Sequence, residues 1–377
     1  MKILQITRTF PPAVGGVESQ VKEIALRLTR KGHKVTVCTS DLLNEVPLRR
    51  LPNGWSDRGV PFEICRHKAV PIPWRKNEGT YFAPTVFFSH ARGDLPSIAH
   101  CQGLNLFTVS ASLFVQRARK CKMVCTIHLD PIILYNKFVR TILERFDGLV
   151  ALTEEELRRM STLGIDRSKI RLIPNGVDLQ SFAHLPAREE FRTRTGITGN
   201  LILYAGRIDV RKGCDVLIEA VSIAQHSVGE CTLVFAGPDC GSEGYLRRLS
   251  RRRGVRAIFT GNLTPACLRS ALVACDVFAL PSLSEGFGLT ILEAMLCGAP
   301  VVATRIGGIP TIVREEETGL LVSPSDHQSL ADAICRLVKD KQLSARLADK
   351  AKLLASKYSI SRTVEELEKF YHYVLSG

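Results

Sequence analysis

Residues 282–295 read Ser-Leu-Ser-Glu-Gly-Phe-Gly-Leu-Thr-Ile-Leu-Glu-Ala-Met and carry two carboxylates, Glu285 and Glu293. The apolar run at 276–281 predicts a buried parallel strand before them. Pro281 and Ser282 end that strand, and Gly286 and Gly288 admit a close backbone approach. From Leu289 onward, Ile291, Leu292 and Met295 follow a helical period. Glu285 is therefore expected in a glycine-rich loop and Glu293 about one turn into a helix. Free N–H groups and the dipole at a helix N-terminus suit an anion, ideally a phosphate. A carboxylate repels phosphate, so each acid needs a different partner. An ionised carboxylate only accepts hydrogen bonds, which makes a ribose or hexose hydroxyl the natural choice. Phosphate on the amides and sugar hydroxyls on the acids together describe a nucleotide sugar. Taken singly, either Glu is more simply a solvated surface acid; the complete string carries more weight.

A second constellation lies upstream. Residues 201–207, Leu-Ile-Leu-Tyr-Ala-Gly-Arg, begin a new sheet, and Ile-Asp-Val-Arg-Lys-Gly follows before a helix expected over 216–225. Arg207 and Lys212 at this strand–loop–helix junction can grip one diphosphate, the guanidinium as a planar fork and the ammonium as a point charge. Such a clamp would neutralise a leaving nucleoside diphosphate. Two further strand-to-glycine exits, at Gly237 and Gly261, are expected at the same sheet edge, where a base could stack. Neither an Asp-x-Asp motif nor a metal-ligand cluster occurs, so metal-dependent transfer is disfavoured and no cofactor is expected.

These strings resemble the retaining glycosyltransferases of the family-4 type with the GT-B fold. The Glu-x7-Glu string carries the resemblance at Glu285 and Glu293, and Gly-Arg-x4-Lys-Gly carries it at Arg207 and Lys212. It implies an α/β architecture of two Rossmann-like, doubly wound domains facing a cleft, with a C-terminal helix crossing back to the first domain. It also implies that Glu285 lies by the donor hexose and that Glu293 binds the ribose. Donor contacts are expected from Gly237, Gly286, Phe287, Gly288 and Leu289 as well. The family's usual acid after Gly-Gly-Ile-Pro is here Thr311. The resemblance covers nearly the whole chain and is loosest over residues 41–120.

The first half supplies its own candidates. Residues 2–7 predict a strand, 17–30 an amphipathic helix with Val21, Ile24, Ala25 and Leu28 on one face, and 34–40 the next strand. This is a βαβ unit of the doubly wound class without the dinucleotide fingerprint. Gly15 and Gly16 precede the helix; they are either a plain turn or, as the resemblance implies, donor-binding. Residues 123–130, Met-Val-Cys-Thr-Ile-His-Leu-Asp, end a strand in polar residues at the edge where open α/β sheets bind ligands. A strand-end His is often structural. The resemblance places His128 near the reacting sugar, where it could bond a hydroxyl or orient the acceptor. Asp130 carries no assignable role. Pro174-Asn175-Gly176-Val177-Asp178 reads as the link between domains. The expected division is 1–178 with 360–377, against 179–359.

The chain has 377 residues and a formal charge of +14, enough for two ordinary cores. Within residues 1–178, 27 lysines and arginines face 16 acids, so most of the excess lies there. Nucleic acid, an anionic membrane surface or a phosphorylated acceptor would each explain it, yet no nucleic-acid module is visible. Trp74, Arg75 and Lys76 suit either a membrane–water interface or a domain edge. The arginines at 247–253 read as a solvated helix face. No apolar run spans a bilayer and the start lacks a leader pattern. The scattered cysteines lie mainly in apolar surroundings, which points to a reduced, cytoplasmic setting with a peripheral membrane role open. The resulting expectation is a UDP- or GDP-sugar hexosyltransferase acting with retention on a glycan or lipid-linked acceptor. The alternatives are a nucleotide-sugar epimerase of the same fold and a non-catalytic nucleotide-sugar binder. An epimerase would need further acids in the first half, and intact Arg207, Lys212, Glu285 and Glu293 weigh against a decayed binder.

Overall fold

The computed structural model describes residues 1–45, 48–71, 81–82, 96–119, 121–128 and 137–377. Asp130 and the Trp74-Arg75-Lys76 stretch lie outside the described residues. The chain divides into two compact units, Met1–Gly176 with Ile360–Gly377, and Val177–Ser359. The division falls two residues before the expected 178/179, because Val177 already belongs to the second unit. Its N–H donates to the Tyr358 carbonyl at 2.9 Å, and it bridges to Ser359.

The first unit is built on seven parallel strands: β1 (Lys2–Thr7), β2 (Lys34–Ser40), β3 (Glu63–His67), β4 (Ile98–Gln102), β5 (Lys122–Thr126), β6 (Gly148–Ala151) and β7 (Ile170–Leu172). Their order is β7-β6-β5-β4-β1-β2-β3. Two short antiparallel ribbons, 42–45 with 48–50 and 70–71 with 81–82, decorate it. Helix α1 (Gly16–Arg30) buries Val21, Ile24, Ala25 and Leu28, the stripe that the 3.6-residue period predicts. One face of the sheet is apolar: Leu4, Ile6, Ala99, Cys101, Met123, Cys125 and Ile127 pack with Phe107, Ala111 and Val115 of α2 (Leu106–Arg119). The final helix, Ile360–Ser376, belongs to this unit and buries Val364, Leu367, Phe370, Tyr371 and Val374. Gly148 opens β6 as glycine because a Cβ there would lie 2.7 Å from the Phe370 ring and 2.9 Å from a Val374 methyl. Outside that contact, Arg171 stacks over Tyr373, 4.5 Å from the ring centre.

Helix Glu154–Thr162 of the same unit is capped by Thr153. Thr153 accepts a hydrogen bond from the Glu156 N–H at 3.1 Å, and Glu156 returns its carboxylate to the Leu152 N–H at 2.6 Å.

The second unit has six parallel strands: β8 (Asn200–Ala205), β9 (Cys231–Ala236), β10 (Arg256–Gly261), β11 (Val277–Leu280), β12 (Val301–Thr304) and β13 (Leu320–Val322), in the order β10-β9-β8-β11-β12-β13. β8, β9, β11 and β12 are near-continuous apolar runs because helices cover both faces. Helix α3 (Cys214–Val228) follows the β8 exit and α4 (Leu289–Leu296) the β11 exit. Strand order reverses between β8 and β11, so their exits flank a topological switch point, the usual ligand crevice of an open α/β sheet. In the first unit the corresponding reversal lies between β1 and β4. Among the described residues, no helix is long and apolar enough to cross a membrane.

Candidate functional site

At the β8–β11 switch point the two exit loops are laced together by backbone contacts. The Leu283 N–H donates to the Arg211 carbonyl at 3.1 Å. Gly213 is left-handed, φ 68°, and a Cβ there would overlap the Pro281 carbonyl. That close approach requires glycine. It brings the Lys212 ammonium to the Ser284 carbonyl at 2.7 Å and to a Glu285 carboxylate oxygen at 3.0 Å. Thr304 at the end of β12 donates to the Ser282 carbonyl at 2.6 Å, and the Gly308 N–H reaches the Glu285 carbonyl at 3.3 Å. Glu285 is thus fixed at main chain and side chain.

Arg207 follows β8 by two residues. Its carbonyl accepts from the Tyr204 hydroxyl at 2.6 Å, while its half-buried guanidinium makes no hydrogen bond or ion pair among the described residues. The Tyr204 phenol is pushed well up, first by burial and then by Cys214 and Glu285, with Arg207 opposing. Arg207, Cys214 and Glu285 therefore lie within electrostatic reach of that hydroxyl. Arg211, the neighbouring cation, pairs instead with Asp209, which also caps the turn by accepting the Arg211 N–H. Asp209 hydrogen-bonds Arg211 and feels Arg207 only through space, which leaves Arg207, the arginine of the Gly-Arg-x4-Lys-Gly string, without a hydrogen-bonding partner among the described residues.

Gly206 and Gly237 end β8 and β9 side by side. Gly237 is at φ 151°, and a Cβ there would overlap the Gly206 carbonyl. Of the two exits expected to leave room for a base, Gly237 therefore also serves the packing of the strand ends, while a Cβ at Gly261 would meet open space. Past Glu285, Gly286 is half-buried and Leu289 is the first residue of α4. Gly288 caps α4 in the left-handed region, φ 89°. Phe287 turns its side chain inward. Its side chain is 3% exposed and packs edge-on against Tyr358, with ring centres 6.0 Å apart. Any ligand contact at this position belongs to its backbone. Glu293 sits in the second turn of α4, half-buried, and its carboxylate has no hydrogen bond among the described residues. Burial pushes its pKa up to about 7, with Arg269 opposing.

In the first unit, His128 lies two residues beyond β5 in the left-handed region, φ 47°, an uncommon place for a residue with a Cβ. His128 Nε2 is 2.9 Å from Gln102 Oε1. Desolvation lowers the His128 pKa to about 4, so the ring is neutral at pH 7. Gly15 caps α1 with extended backbone and Gly16 is exposed. Glu18 folds back over Gly15 and accepts a hydrogen bond from the Thr9 hydroxyl. The helix N-terminus here carries its own acid, which the sequence reading left out. The arginines at 247–253 are exposed; Arg247 pairs with Glu243 at 2.8 Å and Arg253 with Glu219 at 2.7 Å, as a solvated face requires.

Both units have the doubly wound order, and each carries polar side chains on loops at the carboxyl ends of its strands. Solved structures share this architecture. An Anabaena protein, HepE, solved with UDP and glucose, superposes with a TM-score of 0.76 over 98% of both chains at 21% identity, which places the chain in the GT-B fold. Residues 14–181 match the model described as Glycosyltransferase Family 4, and residues 187–354 match Glycosyl transferases group 1. The chain belongs to the family-4-type glycosyltransferases. A phosphatidyl-myo-inositol mannosyltransferase of Mycolicibacterium smegmatis is 28% identical over 96% of this chain and 90% of that one. A D-inositol 3-phosphate glycosyltransferase of Xylanimonas cellulosilytica is 37% identical, but over 56% of this chain and 53% of its own length, so the chain spans about half of that relative.

Proposed function

We propose that the protein transfers a hexosyl group, with retention, from a nucleoside-diphosphate sugar to a hydroxyl of a lipid-linked or phosphorylated polyol acceptor. The observation that carries this reading is the loop pairing at the β8–β11 switch point, where Lys212 meets Glu285 at 3.0 Å and the neighbouring Arg207 has no hydrogen-bonding or ion-pair partner among the described residues. An unpaired cation beside a paired one suits an incoming diphosphate, whose charge would draw Lys212 from Glu285 and free that acid for a sugar hydroxyl. In transfer, the bond from the anomeric carbon to the phosphate oxygen breaks, with its electron pair leaving on the nucleoside diphosphate. The bond to the acceptor oxygen forms on the same face, and the acceptor proton passes to a leaving phosphate oxygen. Arg207 and Lys212 would stabilise the charge that develops on that leaving group. Glu293 suits a ribose hydroxyl, and His128 a hydroxyl of the sugar or acceptor. The relatives named for inositol phosphate and phosphatidyl-inositol support the acceptor class, and a neighbour that holds UDP and glucose supports the donor class.

The test is a melting-temperature screen with UDP-glucose, UDP-N-acetylglucosamine, UDP-galactose and GDP-mannose, followed by turnover. A ligand that binds only the folded state raises the transition. The stabilising donor should be hydrolysed slowly alone and consumed faster with an inositol phosphate or phosphatidyl-inositol. Retention is read from the anomeric configuration of the product by NMR, and an inverted product rejects it. If no donor stabilises the protein, the reading fails.

A further inference from the structure

The first unit's sheet has two unlike faces. One is the apolar core described above. On the other, Gln5, His100, Gln102 and Thr126 are buried to between 0% and 4% exposure among three adjacent strands, and Tyr371 of the final helix is fully buried against them. Parallel pairing sets the array: Gln5 stands beside His100, and Gln102 beside Thr126. A buried polar cluster in a sheet otherwise made of apolar residues needs every member hydrogen-bonded.

The donors and acceptors form one connected network. His128 Nε2 is 2.9 Å from Gln102 Oε1. The Gln102 amide donates to Gln5 Oε1 at 2.9 Å and also lies 3.4 Å from His100 Nδ1, and the Gln5 amide donates to the Tyr371 hydroxyl at 3.2 Å. The Tyr371 hydroxyl is 2.6 Å from His100 Nδ1, and His100 Nε2 is 2.8 Å from the Thr126 hydroxyl. A carbonyl oxygen only accepts, so His128 must carry its proton on Nε2. Tyr371 accepts from Gln5, so its own proton goes to His100 Nδ1, and His100 is then protonated on Nε2 and donates to Thr126. The reverse tautomer of His100 would strand the buried Tyr371 proton. His128 Nδ1 is left as a bare acceptor with no partner among the described residues.

We propose that Gln102, Gln5, Tyr371 and His100 form a positioning relay that holds His128 as its Nε2–H tautomer and leaves Nδ1 to accept a hydrogen bond from a ligand hydroxyl. The final helix is thereby a working part of the site, since Tyr371 accepts from Gln5 and donates to His100 Nδ1. The left-handed backbone at His128 fits this role, because strain of that kind persists where surroundings over-determine it. The ligand-hydroxyl half rests on the proposed transferase reading; the tautomer half does not.

The experiment is two-bond nitrogen–proton NMR on the full chain with 15N-labelled histidine, assigned by loss of signals in His128→Gln and His100→Gln. Wild type should report Nε2–H with bare Nδ1 at His128. Gln102→Leu, which removes the acceptor, should give mixed tautomers there, while Gln102→Glu, which restores an acceptor, should recover Nε2–H. Tyr371→Phe keeps the ring but should shift the His100 Nδ1 resonance and alter that of His128. In turnover, Gln102→Leu should lower kcat by about tenfold with donor KM little changed, and Gln102→Glu should recover part of it. An Nδ1–H tautomer in wild type, or a His128 spectrum unmoved by Gln102→Leu and Tyr371→Phe, overturns the relay. A correct tautomer with no turnover in any variant would sink the transferase reading instead.

Discussion

The two units share a strand order but differ in what they gather at the ends of their strands. In the first, His128, Gln102, His100 and Tyr371 are neutral and bonded in series; burial lowers the two imidazoles to about 4 and about 3. In the second, Lys212 and Glu285 are charged and paired, and Arg207 is held beside them without a hydrogen-bonding or ion-pair partner among the described residues. A neutral array aligns a ligand through directional hydrogen bonds of modest strength. A charged array can neutralise a diphosphate and the charge that develops as it leaves. On the proposed reading the same sheet topology would serve orientation in one unit and charge stabilisation in the other, because strand and final-helix side chains supply most of the first array and exit loops the second.

That contrast is easiest to break in turnover. Lys212→Met and Arg207→Met should each reduce kcat by about 10²–10³, the scale for removing one preorganised charge-stabilising donor. His128→Gln should cost about tenfold or less, the scale of one neutral hydrogen bond. Equal losses would erase the distinction. A smaller effect sharpens the packing side. Gly213→Ala in the second unit combines a left-handed φ with overlap on the Pro281 carbonyl and should lower unfolding free energy by about 1–3 kcal/mol. Gly32→Ala in the first unit, at φ 85° with open space around it, should cost only the backbone term of about 1 kcal/mol. Chemical denaturation of both variants checks the difference.

The smallest effect is in pH, and its sign differs between the units. His100 and His128 bind protons more weakly folded than unfolded, so the first unit should lose stability as pH falls from about 6.5 toward their lowered values. Glu293 binds its proton more tightly folded than unfolded. Its contribution is full below about 4.5 and lost as pH rises through about 7, so the second unit should drift the opposite way. Hydrogen exchange of β4–β5 peptides against α4 peptides, between pH 4.5 and 7.5, would report both slopes. Parallel slopes would contradict the two burial environments.

Much of the fold was legible because hydrophobic period is a local property. The stripe of α1, the apolar runs of β8 and β11 and the α4 start after Gly288 all follow from short windows of sequence. The candidate loops were legible too, since glycines, a strand exit and a helix start mark them. The seat of the Phe287 side chain was not legible, because nothing local places a loop aromatic against Tyr358, which lies 71 residues away in the chain. Glu18 was passed over for a similar reason: a Glu in a first helical turn looks ordinary until it folds over Gly15. Gln5, His100 and Gln102 did leave a signal, as polar residues inside otherwise apolar strands. Without the pairing of β1 with β4 and the seat of Tyr371, that signal could not be assembled.

What the amino-acid order determined by itself was the list of elements and the chemical types on their exit loops, because both depend on neighbours within one or two turns. Which arginine stays unpaired, which ring nitrogen of His128 carries the proton and which acid is desolvated were decided only in three dimensions. Each of those depends on partners brought from distant positions into a low-dielectric interior, where a single hydrogen bond or its absence sets the charge state.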